Sequence, residues 1–126
     1  MSVYNDPARE IIYHILDLLP TIEAALTHMV GQLDELRLEE SEVLFRDAAQ
    51  AIGSIAENVV LLTGKQENAD LLKTTARMRR ALGAVIDGFE SGSLPAIQNA
   101  LLQQLLPAFL DWRRRIEQIL LPAVVV

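Results

Sequence analysis

Residues 93–121 read SLPAIQNALLQQLLPAFLDWRRRIEQILL, a stretch apolar enough to be buried and long enough to run the height of a small domain. Leu102, Leu105, Phe109, Trp112, Ile116 and Ile119 recur at steps of three and four, the spacing that lays one stripe along a helix. The only tryptophan of the chain lies on it. A helix with so continuous an apolar stripe needs neighbours along its whole length.

Three further helical stretches supply them. Asp6-Pro7 sets a capping residue before a proline at the first helical position, and Ile11, Ile15, Leu18, Ile22, Leu26, Met29, Leu33 and Leu36 then hold one face over residues 6–37. The stripe keeps its phase across Pro20, which predicts one kinked helix rather than two. Glu39, Glu40 and Glu42 mark the start of a second helix, residues 40–63, carrying Leu44, Ala48, Ile52, Ile55, Val59 and Leu62. Its middle is narrow at Ala49, Ala51, Gly53 and Ser54, which predicts close approach by a neighbour there.

Gly64 punctuates the chain as a C-terminal cap. The third helix, 67–90, then starts near Glu67 or Asn68 and runs through Leu71, Thr75, Met78, Leu82, Val85 and Phe89, with Lys73, Arg77 and Arg80 as a basic stripe opposite. The turn Glu90-Ser91-Gly92-Ser93 follows, and Ser93 caps the fourth helix, 93–121, with Pro95 in its first turn. Four amphipathic helices joined by short loops predict an all-α, up-down-up-down antiparallel four-helix bundle, one domain over residues 1–126. Pro20 and Pro107 are both preceded by Leu-Leu and are expected to bend helices 1 and 4 at similar height.

Composition agrees. Hydrophobic residues make up 51 % of 126 residues but aromatics only 5 %, so the core is built of aliphatic side chains. There is no cysteine, which rules out disulfides and thiolate metal sites. No apolar run approaches the roughly 18 residues of a membrane span and the N-terminal decapeptide is polar, so a soluble cytoplasmic protein is expected. The net charge of −6 argues against a nucleic-acid partner, whose binding is driven by excess cations. The charge is uneven: residues 1–63 hold 3 Lys/Arg against 11 Asp/Glu, a net of −8, and residues 64–126 hold 8 against 6, a net of +2.

Candidate chemistry is sparse. His14 sits at the border of the helix 1 stripe and His28 on its polar side with Glu35 one heptad on. A phosphotransfer bundle presents an exposed mid-helix histidine, often followed by Lys and Gly; here His28 is followed by Met29, Val30 and Gly31. A di-iron bundle needs paired Glu-x-x-His motifs, whereas Glu10 and His14 are four apart and no second pair exists. No phosphate loop and no nucleophile with a base are present, so neither metal nor cofactor is expected and no enzyme is expected. Thr75 and Glu23 read as polar residues satisfied at the border of the core. The run Arg113-Arg114-Arg115 spreads three guanidinium groups round a turn, suited to several carboxylates on neighbouring helices, with Glu39, Glu40 and Glu42 as candidates.

The pattern Leu101-Leu102-x-x-Leu105-Leu106-Pro107-x-Phe109-Leu110-x-Trp112 resembles the C-terminal helix of small bacterial helical proteins of unknown function, some of them associated with motility genes. The overall shape is similar to flagellar export chaperones, which hold an exported subunit's terminal helix. That resemblance implies no catalytic residue, and Gln103 and Gln104 stand where relatives would carry an acidic or aromatic residue.

The expected function is a non-enzymatic protein–protein interaction module, a chaperone or adaptor that docks a partner's amphipathic helix or pairs with a second copy. The expected contacts are Leu106, Pro107, Phe109, Leu110 and Trp112, with the tail residues Val124, Val125 and Val126, which follow a proline that should end the helix. Two alternatives stand beside it: histidine phosphotransfer or signalling through His28, and small-ligand binding in a crevice between the kinked helices 1 and 4.

Overall fold

The computed structural model describes residues 6–64 and 68–124, and among these every regular element is helical. The helices are α1 (Asp6–Asp34), α2 (Leu38–Thr63), α3 (Ala69–Ser91), α4 (Leu94–Asn99) and α5 (Leu106–Val124), with one π turn, Ala100–Leu105, joining the last two. Those last three segments form one continuous rod, the fourth helix of an all-α bundle. The expected cap at Asp6, the expected start at Glu67 and the tail residues Val125 and Val126 fall on side chains or residues outside the described set.

Local chemistry explains the ends. Asn68 accepts a hydrogen bond from the Leu71 amide at 3.1 Å, and Ser93 accepts one from the Ala96 amide at 3.3 Å, so α3 and α4 each start on a side-chain cap. Gly92 closes α3 in the left-handed region (φ 65°), with its own amide on Phe89 O and that of Ser93 on Gly88 O. The turn between α1 and α2 has the same geometry without a glycine. Leu36 takes φ 62°, the Leu36 amide reaches Leu33 O at 3.1 Å and the Arg37 amide reaches Gln32 O at 2.8 Å. Helix 1 therefore stops at Asp34, three residues before the sequence boundary.

Antiparallel register follows from cross-helix contacts. Glu23 meets Arg113 at 3.2 Å and Asp34 meets Gln98 at 3.3 Å, so α1 and the fourth rod run in opposite directions. On that register Pro107 lies level with a point near Thr27, about two helical turns from Pro20. The two prolines are thus staggered, not side by side. α1 runs unbroken through Pro20, and the π turn immediately before Pro107 takes up the missing amide there: the Leu106 N–H bonds Leu101 O, and the wide turn moves the carbonyl that the proline ring would strike.

The core is one cluster fed by all four rods, and its stripes correct the sequence reading by small rotations. Ile12 and Leu19 are buried where Ile11 and Leu18 were expected, Phe45 in place of Leu44, Leu101 in place of Leu102, and Leu120 in place of Ile119. Leu36 is 70 % exposed because the chain has left the helix there. Gly53 has no neighbour within 4 Å of where a Cβ would stand, so the narrow middle of α2 is not a close crossing. Close approach occurs at Gly88, where a Cβ would lie 3.0 Å from both Cγ1 and the backbone N of Ile97.

The packing is uneven around the bundle. α1 lies closely against α2, and the fourth rod lies closely against α3 and α1. α2 and α3, although consecutive, scarcely meet.

Candidate functional site

A seam is left between α2 and α3, with a recess at each end. At one end Ala56, Val59 and Val60 from α2 and Leu71, Leu72, Thr75, Ala76 and Arg79 from α3 surround a recess of about 290 Å³, with Trp112 at its floor. At the other end Phe45, Ala49, Ile86 and Phe89, with the charged groups Glu42, Arg46 and Glu90, line a second recess of about 350 Å³. What bridges the seam there is the Phe45–Phe89 ring pair, with centroids 5.8 Å apart.

The sequence of α2 leaves apolar side chains in water near this surface. Val59-Val60-Leu61-Leu62 are four apolar residues in a row on α2, and one helical face cannot bury them all. Val59 is buried and Val60 and Leu61 point outward, with Leu72 and Ile86 exposed on α3. Isolated exposed apolar residues are ordinary, but Val60 and Leu72 stand on the two rims of the same recess, and Ile86 lines the other.

Trp112 is held by its neighbours. Its indole packs against Phe109, centroids 5.9 Å apart, and its Nε1 donates to Thr75 Oγ1 at 3.0 Å. Thr75 is the satisfied border residue that its place on the stripe implied. The Thr75 oxygen accepts that bond, and the rest of the lining is mostly hydrocarbon, with Arg79 as its one charged residue. Such a lining recognises shape and apolar area, and carries no acid–base or nucleophilic arrangement.

The contacts expected on the fourth rod are divided by the structure. Pro107 and Leu110 are exposed and Leu106 is half-buried against the core. Phe109 and Trp112 are packed in the core, because they sit on the face that turns toward α1 and α3, and Trp112 meets the outside only as the floor of the recess. Val124 is buried too. α5 continues through Pro122 to Val124, so the proline near the end of the helix does not release the tail at that point.

The arginine run spreads as its spacing implies, with different partners from those expected. Arg113 meets Glu23 of α1 at 3.2 Å and Glu117 at 3.5 Å, Arg114 meets Asp111 at 2.6 Å, and Arg115 reaches Asp70 of α3 at 3.7 Å. Glu40 pairs with Arg37 and Glu42 with Arg46, within their own corner of the molecule. The hydrogen bond from Arg114, helped by the charges of Arg114, Arg115 and Arg77, holds the Asp111 carboxyl below its ordinary value. Arg37 does the same to Glu40.

His28 is exposed on α1 beside Pro20, Glu23, Ala24, Thr27 and Gly31, and His14 lines a shallow recess with Glu10, Ser54 and Asn58. Among the described residues no three His, Asp or Glu side chains gather as metal ligands, and no helix is long and apolar enough to cross a membrane.

A family model described as "Domain of unknown function (DUF8042)" matches residues 10–115. The chain belongs to that family. No curated protein and no solved structure matches it. The DUF8042 match takes in both walls of the seam and Trp112 beneath it, and stops before the last turns of α5.

Proposed function

We propose that this protein is a non-enzymatic interaction module of the adaptor or chaperone type, and that the α2–α3 seam is where it receives the apolar face of a helix. The observation that carries the reading is the separation of α2 and α3 over a floor of buried side chains, with Val60 and Leu72 each 55 % exposed on opposite rims. A helix laid in such a cleft buries rim and floor together, which is the recurrent way amphipathic segments are recognised. The seam replaces the fourth-rod surface, whose aromatic residues are already spent on the core.

The test uses the tryptophan as reporter. A synthetic amphipathic helix of about five turns, with one Leu/Ile face, is titrated into dilute protein while Trp112 emission and amide shifts are followed. Binding should shift the emission and perturb Val59 to Leu62 and Leu71 to Arg79 together. The pair Val60→Lys and Leu72→Lys should abolish both signals while leaving the helical content and thermal midpoint unchanged. Perturbations confined to α1 or to the outer face of α5, or binding that ignores the two lysines, would overturn the reading.

A further inference from the structure

The open face of α3 carries a pattern that says what fits it. Arg79, Gly83, Ile86 and Glu90 follow at steps of four, three and four, so they stand on one stripe of α3, facing the seam. Arg79 and Glu90 are exposed charges at the two ends of that stripe, one lining each recess, and neither makes an ion pair among the described residues. They are eleven residues apart, about 16 Å along the axis, too far to pair with each other. Between them Ile86 projects, 43 % exposed, while beside Gly83 nothing lies within 4 Å of where a Cβ would stand.

The order is palindromic in chemistry: cation, gap, knob, anion. A two-fold axis crossing α3 between Ala84 and Val85 exchanges Arg79 with Glu90 and Gly83 with Ile86. Two copies of α3 laid antiparallel across that axis set each arginine against the other copy's glutamate, and each isoleucine into the other copy's glycine notch. An interface related by a two-fold must be complementary to itself, and this stripe is.

We infer that the occupant of the seam is a second copy of this chain, joined α3 to α3 antiparallel, with α2 of each copy flanking the pair. This rests on the reading of the seam as a docking surface and adds the identity of the partner. A foreign helix needs no such symmetry of charge. The two unpaired end charges and the matched knob and notch are what favour a copy.

Sedimentation equilibrium over a concentration series gives the first readout: the mass should rise from 14.0 kDa toward twice that value. Arg79→Glu sets four acidic groups in two like-charged contacts, and Glu90→Arg sets four basic ones, so each variant alone should weaken the dimer by at least about tenfold. Mixing the two variants should restore association as a heterodimer, because both cross-axis contacts then join opposite charges. The double variant should also associate. Rescue by mixing cannot arise from a folding defect or from an intramolecular pair. A 14.0 kDa species at every concentration, or charge variants that associate like the parent, would overturn the inference. If the model helix still perturbs the seam of that monomer, the docking reading stands and only the partner is wrong; if it does not, both fall.

Discussion

The indole N–H of Trp112 ends on the hydroxyl of Thr75, 3.0 Å away, and so ties α5 to α3 directly under the open seam. A groove floor needs rigidity if it is to keep its shape without an occupant. The indole is packed on Phe109 at one side and fixed by this bond at its edge.

Thr75→Val keeps the volume of the side chain and removes the acceptor, leaving a buried indole N–H unpaired. Unfolding in urea followed by Trp112 emission should show a loss of about 1–3 kcal/mol. Thr75→Ser should recover most of it, which distinguishes the bond from packing of the methyl group.

Leu36 sits in the left-handed region with 70 % of its surface in water, so it bears a backbone penalty with little burial to offset it. Leu36→Gly removes a cost of about 1–2 kcal/mol and loses part of that to the greater freedom of glycine in the unfolded chain. A net gain of about 0.5–1 kcal/mol is expected. An unchanged or lower urea midpoint would count against the conformational account of the turn.

Two glycine substitutions should move in opposite directions. At Gly88 a Cβ meets the Ile97 backbone, which cannot yield without shifting α4, and Gly88→Ala should cost about 1–3 kcal/mol. At Gly53 there is open space and helical backbone, and Gly53→Ala should gain up to about 1 kcal/mol. Thermal midpoints of the two variants measured together give the comparison.

Asp111 provides the acid dependence. Its folded carboxyl is held below the ordinary 3.8, chiefly by the Arg114 hydrogen bond, so it stabilises the fold at pH above that value and ceases to as pH falls through the lowered one. Asp111→Asn should therefore be less stable than the parent near neutrality, by about 1 kcal/mol or less, and the two should converge in strong acid. High salt should narrow the gap at neutral pH.

The sequence was most informative where a single residue type answers a local demand. Asn68, Gly92, Ser93 and Pro95 each do at a helix end what their side chains permit, and the all-α class follows from the stripes they separate. It was less informative about rotation. Ile11 and Ile12, Leu18 and Leu19, or Leu44 and Phe45 fit the same periodicity, and which of each pair is buried depends on the crossing of two helices, a pairwise property. The α1–α2 turn escaped because a leucine, not a glycine, takes the left-handed position. The seam escaped for the same pairwise reason, although the uninterrupted run from Val59 to Leu62 already carries more apolar surface than one face can hide. The apolar side chains around Pro107 suit a contact surface as well as a core, and in the fold Phe109 and Trp112 fill the interior.

The π turn at Ala100–Leu105 fixes the reading frame of the fourth rod. Ile97, Leu101, Leu105 and Phe109 are four residues apart and all buried, a spacing that would drift around an α-helix by about 40° at each step. The wide turn absorbs much of that drift, so the segment before it and the segment after it keep the same side toward α1 and α3. Deleting one residue within 100–105 would let the wide turn close into regular α-helix, with Ile97 and Phe109 still on the same side. What would be lost is the bond from the Leu106 N–H to Leu101 O, and Pro107 would then stand in a regular helix with its ring against a carbonyl of the preceding turn. The extra residue is thus what lets a proline occupy the middle of the rod that joins the hairpin at Gly92 to the tryptophan at the floor of the seam.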